Sequence, residues 1–276
     1  MRITLWGTRG SVARAGRGTV RYGGDTACVQ VNDADGRVVI LDGGSGLLHC
    51  TNRLGEGTVR VDILLTHLHM DHIQGLGFFY PLRSPDVETH IWGPATRAAP
   101  LSDRLARYLS PPLFPVRLRD LAANHIHDVL PGTFTVGSFA VTADYVCHPG
   151  PTLGFRLVEK GKTLVYLPDH EPALGHRSFP GDPTWTSGAD LARDADVLIH
   201  DTQYTDDEYV RRVGWGHSTL AHAVGFARQS GVRELVTFHH DPEHGDDLLD
   251  ELHRAAGEGA GSVRITPGLG GEGFDL

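Results

Sequence analysis

Val61-Asp62-Ile63-Leu64-Leu65-Thr66-His67-Leu68-His69-Met70-Asp71-His72 carries a short apolar run directly into four potential metal ligands within six residues. The apolar part predicts a buried strand. Four ligating side chains at its end converge only if the backbone turns there. Alternation along an extended chain sends His67 and His69 to one side, and the turn lets Asp71 and His72 face a second metal. Imidazole and carboxylate are groups that zinc takes in catalytic sites. The competing reading is a polar loop whose histidines cap the next helix.

Further potential ligands stand at other predicted strand ends. His148 follows Val141–Cys147, Asp169 follows Leu164–Pro168, and His239 closes Leu235–Phe238. Any one alone reads as a satisfied core or edge residue. Together with the first run they supply enough donors for two coordination spheres.

Apolar runs bounded by Gly, Pro, Asn or Asp predict strands near Ile3–Trp6, Ala27–Val31, Val38–Asp42, Asp62–Thr66 and Thr89–Trp92. Later strands are expected at Phe139–Cys147, Gly154–Val158, Thr163–Leu167, Val197–His200, Leu235–His239 and Val263–Ile265. One helix is predicted after Ser218 as N-cap, with Leu220, Ala223, Val224 and Ala227 on one stripe and Gly231 as its stop. A second spans Asp246–Ala256, with Leu248, Leu249 and Leu252 on one side. This alternation suggests an α/β protein of two sheets packed face to face with helices outside, in one domain over 1–276. Pro111–Pro115 reads as a loop or lid rather than a linker.

Composition narrows the class. Of 276 residues, 40% are hydrophobic and 21% charged, as in ordinary soluble domains. The first residues read as a strand without a signal-peptide core, and no apolar run is long enough for a bilayer, so no membrane partner is expected. Cys28, Cys50 and Cys147 match no disulfide framework or zinc-ribbon spacing, which suits a cytoplasmic location. A net charge of −9 argues against wrapping a nucleic-acid backbone with the general surface, while 17 histidines are available as metal ligands.

The run His67-x-His69-x-Asp71-His72, followed by His148, Asp169 and His239, resembles the signature of the metallo-β-lactamase superfamily. The likeness extends over essentially the whole chain, the early turn Leu41-Asp42-Gly43-Gly44 included. It implies a four-layer αββα sandwich and a hydrolase with two divalent metal ions, zinc foremost, with manganese or iron as alternatives. Position by position, one metal would take His67, His69 and His148, the other Asp71, His72 and His239, and Asp169 would bridge them. His240 rivals His239. Neighbours in a strand point to opposite faces, so only one of the two faces the metals, and His239 is preferred.

Val197–Thr202, then Gly216-His217-Ser218-Thr219, then the His239 strand resembles the phosphodiesterase branch of the superfamily, which includes RNase Z and small cyclic-phosphate phosphodiesterases. By that likeness His217 is a catalytic acid or phosphate-oxygen partner held by Asp201, and Asp71 belongs to the catalytic set. RNase Z typically has Glu where this chain has Asp201. RNase Z also carries a tRNA-gripping insertion between its equivalents of His148 and Asp169, where this chain has twenty residues that read as a two-strand hairpin. The expected substrate is therefore a small, anionic phosphodiester or cyclic phosphate rather than tRNA; a lactone, ester or thioester hydrolase is the alternative, and a homodimer is left open. Arg9, Arg14, Arg17 and Arg21 offer a phosphate-binding arginine near the mouth, against a solvated basic loop. Trp215 and Tyr204 offer a wall for a base or ring.

Overall fold

The computed structural model describes residues 1–51, 54, 57–121, 124–173 and 182–276. Its strands are β1 Arg2–Gly7, β2 Cys28–Asn32, β3 Val38–Leu41, β4 Arg60–Leu64, β5 Glu88–Pro94, β6 Asn124–Val129, β7 Gly132–Val136, β8 Phe139–Tyr145, β9 Leu153–Glu159, β10 Lys162–Leu167, β11 Val197–Asp201, β12 Glu234–Phe238, β13 Arg264–Pro267 and β14 Gly273–Asp275. One seven-stranded sheet runs β14-β1-β2-β3-β4-β5-β6, and the other runs β13-β12-β11-β10-β9-β8-β7. The helices are α1 Leu47–Thr51, α2 Met70–Ile73, α3 Leu101–Tyr108, α4 Ala189–Ala192, α5 Asp206–Tyr209, α6 Leu220–Gln229 and α7 Asp246–Gly259.

The layers follow from strands that are apolar on both faces, as sheets covered on both sides require. Leu164 and Tyr166 of β10 join Val39, Leu41 and Leu64 in a core between the sheets, while Val165 and Leu167 of the same strand pack with Leu191, Ala223 and Phe226 on the outer side. In β4, Val61 and Ile63 turn outward onto Leu47, Leu76, Leu101 and Leu105. The result is an αββα sandwich, as expected. In each sheet four neighbouring strands run parallel, β3 to β6 and β10 to β13. Their carboxyl ends open at the same edge of the sandwich, the usual place for a ligand site in open parallel sheets.

Several local expectations are corrected. The N-cap of α6 is Thr219, whose side chain accepts from His222 N; Ser218 Oγ instead donates to His170 O at 2.6 Å. Gly231 ends the segment at φ 69°, a backbone conformation glycine takes without strain. In α7, Leu249 is buried but Leu248 is 37% exposed, because adjacent helical positions lie about 100° apart. Three strands that the sequence left unassigned, β6, β7 and β14, occupy sheet edges. Pro111–Pro115 is no free lid: Phe114 is buried in the helix-side core, edge-on to Phe78 at 5.7 Å. Among the described residues no helix is long and apolar enough to cross a membrane.

Candidate metal centre

The apolar run of β4 delivers Thr66 and His67 beyond the end of the strand, and α2 starts three residues later, with His69 as its N-cap in extended conformation. That switch from strand to helix is the turn the sequence required. Asp169 follows β10, Asp201 is the last residue of β11, and His239 follows β12. His148 lies on the loop between β8 and β9.

The seven residues from His67 to His239 converge in two groups. Ligand atoms of His67, His69, His148 and Asp169 lie within 4.8 Å of one another, and so do those of Asp71, His72 and His239. Asp169 stands between the groups. Its Oδ2 lies 3.7 Å from both His67 Nε2 and His148 Nε2, and its Oδ1 lies 3.0 Å from His72 Nε2 and 3.3 Å from His239 Nε2. Asp71 Oδ2 is 3.3 Å from His72 Nε2 and 3.2 Å from His239 Nε2.

The outward-facing nitrogens are already committed. His72 Nδ1 donates to Asp42 Oδ2 at 2.8 Å, His148 Nδ1 to Gly216 O at 2.9 Å, and His239 Nδ1 to Gln203 Oε1 at 3.0 Å. His67 Nδ1 donates to Thr66 Oγ1 at 3.0 Å, and that hydroxyl donates to Asp42. These bonds fix the tautomers and aim Nε2 of each ring inward, the arrangement usual around ligating histidines. Inward, His67 Nε2, His72 Nε2 and Asp169 Oδ1 are buried without a hydrogen bond. Buried polar atoms are rarely left so, and a donor set of imidazoles and carboxylates is one that divalent zinc fits.

Electrostatics agree. Burial, joined by the charge of His72, pushes His67 well below the usual imidazole range, and burial likewise lowers His69 and His148. At His72 and His239 burial is outweighed by Asp169 and Asp71, and both are raised. Burial would also raise Asp71 and Asp169, but the neighbouring imidazoles hold both far below the carboxylate range. Two buried carboxylates thus stay anionic side by side, and buried charges of this kind are paired or coordinate metals.

His239 reaches the site by a route alternation did not foresee. It lies just beyond β12 in left-handed conformation, φ 58°. His240 turns away, bonds Gly268 O at 3.1 Å and meets the Tyr22 ring edge-on at 5.2 Å. A Cβ on Gly10 would collide with the His239 ring, so the N-terminal loop passes over the site at a glycine. The next residue, Ser11, donates its N–H to Asp71 Oδ2 at 2.8 Å.

His217 and Asp201 are paired, with Nδ1 to Oδ2 at 2.7 Å, and His217 Nδ1 lies 3.9 Å from Asp169 Oδ2. The His217 ring stacks on His239 at 5.0 Å and meets Tyr204 edge-on at 5.7 Å. Tyr204 is buried behind His217 and Trp215 is 58% exposed, so Tyr204 supports the imidazole rather than lining an open wall. Three of the four loop arginines have partners within the protein. Arg9 is fully buried and bonds the carbonyls of Gly23, Asp241 and His244, Arg14 pairs with Glu243, and Arg21 pairs with Asp247 and Asp250. Arg17 is exposed.

Sequence reasoning missed the residues behind the ligands. Asp42, in left-handed conformation at the end of β3 (φ 59°), also accepts from Thr66 N at 2.7 Å and Tyr166 OH at 3.0 Å. Its only signal was its place in the Leu41–Gly44 turn. Glu171 accepts from Tyr209 OH at 2.6 Å, Gly214 N at 2.8 Å and Gly216 N at 2.9 Å, tying down the loop that carries His217.

Comparison with known proteins agrees with this architecture. Residues 37–240 match the family described as Beta-lactamase superfamily domain. The ribonuclease Z of Myxococcus xanthus is 28% identical, the match covering 83% of this chain and 86% of that protein. Among solved structures, a diphosphatase from the PhnP family superposes with a TM-score of 0.70 at 19% identity, over 100% of this chain and 98% of its own. Zinc-bound PqqB from Methylobacterium extorquens superposes with a TM-score of 0.70 at 18% identity, over the full length of both chains. The chain belongs to the β-lactamase superfamily domain family, with the metallo-β-lactamase fold, and it is a metal-dependent hydrolase of the branch that holds ribonuclease Z.

Proposed function

We propose that this protein is a two-metal phosphodiesterase acting on a small phosphodiester or cyclic phosphate. His67, His69 and His148 would hold one divalent ion and Asp71, His72 and His239 the other, with Asp169 standing between the two groups. Zinc suits this donor set best, and manganese and iron accept the same ligand types. Two such ions supply positive charge that lowers the pKa of a coordinated water towards about 7 and meets the charge on phosphoryl oxygens.

The observation that carries the phosphodiester reading is the Asp201–His217 pair beside Asp169. With Nδ1 committed to Asp201, His217 has Nε2 left for a substrate oxygen. From there it binds a phosphoryl oxygen or gives a proton to the leaving alkoxide, a form of acid catalysis typically worth about 10²–10⁴-fold. Asp201 holds the ring through Oδ2 while its Oδ1 accepts from Gln203 N at 2.9 Å and Ser218 N at 3.2 Å. The preference for a small substrate rests on the β9–β10 hairpin, which fills the interval between His148 and Asp169, and on the net charge of −9.

The test is a substrate panel on metal-loaded protein: a small alkyl phosphodiester, a cyclic phosphate, a lactone and a precursor tRNA under one set of conditions. Fastest turnover is expected on the small phosphodiesters. A dominant rate on tRNA would overturn the substrate size, and a dominant rate on the lactone would overturn the reaction class.

A further inference from the structure

Three histidines outside the metal centre, His90, His125 and His127, gather on β5 and β6 away from it. β5 runs parallel to β4, with Glu88 beside Arg60 at the start of β4 and Trp92 beside Leu64 at its end. The centre built on His67 lies beyond that end. Glu88 and His90 therefore sit several strand positions away, on the order of 15 Å at about 3.3 Å per residue. On β6, His125 pairs directly with His90, and His127 pairs with Trp92. Residues two apart on a strand share a face, so Glu88, His90, His125 and His127 form one cluster across two strands.

We infer that Glu88, His90 and His125 form a second, separate site for one divalent transition-metal ion, clipping edge strand β6 to β5. One ligand atom from each lies within 4.8 Å of the other two. His90 Nε2 is 2.8 Å and His125 Nε2 3.5 Å from the same oxygen, Glu88 Oε1. The His90 and His125 rings stack at 4.6 Å.

The cluster also has the supporting bonds of a ligand site. His90, 8% exposed, has its other nitrogen, Nδ1, 2.9 Å from His127 Nε2. A ligating histidine usually bonds through its second nitrogen in this way. His127 is itself fixed by stacking on Trp92 at 3.9 Å, and Trp92 Nε1 donates to Asp62 Oδ1 at 2.9 Å. The neighbouring Arg60 is forked onto Asp62 by two bonds, which leaves the Glu88 carboxylate to the imidazoles. Two imidazoles and one carboxylate with open positions suit zinc, nickel or copper(II) rather than calcium or magnesium.

The test uses protein whose main centre is already loaded. Zinc or nickel is added by equilibrium dialysis, and metal is counted in the parent and in the His125→Gln and Glu88→Gln variants. Both substituted side chains are about half exposed, so folding is preserved. One additional equivalent is expected in the parent and not in the variants, with hydrolytic turnover equal in all three. His127→Ala should weaken the additional site by about 10–100-fold, the range for losing a partner that orients a ligand. Added metal should raise Tm in the parent alone. Equal metal content in the parent and both variants would overturn the inference, as would a Tm rise that persists in the variants. Neither result touches the main centre, whose ligands are unaltered.

Discussion

Asp42 joins four groups at one buried carboxylate: Thr66 N, Thr66 Oγ1, His72 Nδ1 and Tyr166 OH. Through Thr66 it also reaches His67, so both ligand groups depend on it. Asp42→Ala should lower metal affinity by about 10–100-fold, measured by chelator competition, whereas Tyr166→Phe, losing one bond, should cost only about 1 kcal/mol of stability. Parent-like affinity in Asp42→Ala would show that the ligands are held some other way. His217 makes a different prediction, since it stands beside the metal ligands and bonds Asp201. His217→Ala should retain the metal content of the parent yet lose about 10²-fold or more in kcat on an alkyl phosphodiester. The deficit should shrink with nitrophenolate, a leaving group that needs no proton. Equal rates on the alkyl substrate would remove His217 from the mechanism. At the adjacent pair, His239→Ala should lose metal while His240→Ala keeps it, because His240 bonds Gly268 O and faces Tyr22.

The loop between α5 and α6 touches both a proposed ligand, His148, and the proposed acid, His217. Gly216 accepts His148 Nδ1–H through its carbonyl and donates its own N–H to Glu171, immediately before His217. At φ 86° and with His148 against its α-carbon, Gly216 has no room for a side chain. Glu171 therefore acts as a positioning residue for the loop. Glu171→Gln keeps the shape but loses the charge, and one of its three N–H or O–H donors must face an amide nitrogen. It should lower kcat on alkyl phosphodiesters by more than on nitrophenyl ones, the signature of a displaced His217, whereas uniform loss of active protein would lower both equally. Elements of this kind explain what was legible in the sequence. Apolar strands such as β4, β10, β11 and β12 announced themselves, and ligands at their ends could be placed together. β6 did not, because Asn124-His125-Ile126-His127-Asp128-Val129 sits at a sheet edge and has little apolar periodicity. α2, α4 and α5 are single turns, too short to show a helical repeat. Asp42, Gln203 and Glu171, which stand behind these residues, carried little pattern, since their roles come from contacts 30 to 45 positions apart.

At the scale of the whole molecule, the first sheet is built from residues before 130 apart from β14, and the second from residues after 131. His67, His69, Asp71 and His72 come from one part, and His148, Asp169 and His239 from the other. On the proposed ligand assignment both metal positions are complete only when the two sheets are docked, so metal binding is expected to stabilise the docked state. Metal held at a hundred times its Kd adds about 2.7 kcal/mol, roughly 5–10 °C in Tm for a chain near this size. Chelator-stripped protein should melt lower by that margin in calorimetry and recover on adding zinc. An unchanged Tm would mean that docking is indifferent to the metal. The same division of ligands sets a schedule during synthesis. A ribosome adding about 5–20 residues per second releases His72 roughly 10–30 s before His239. Through that interval the growing chain carries four of the proposed ligands with their partners still unmade, so the proposed centre can be completed only after His239 has been added.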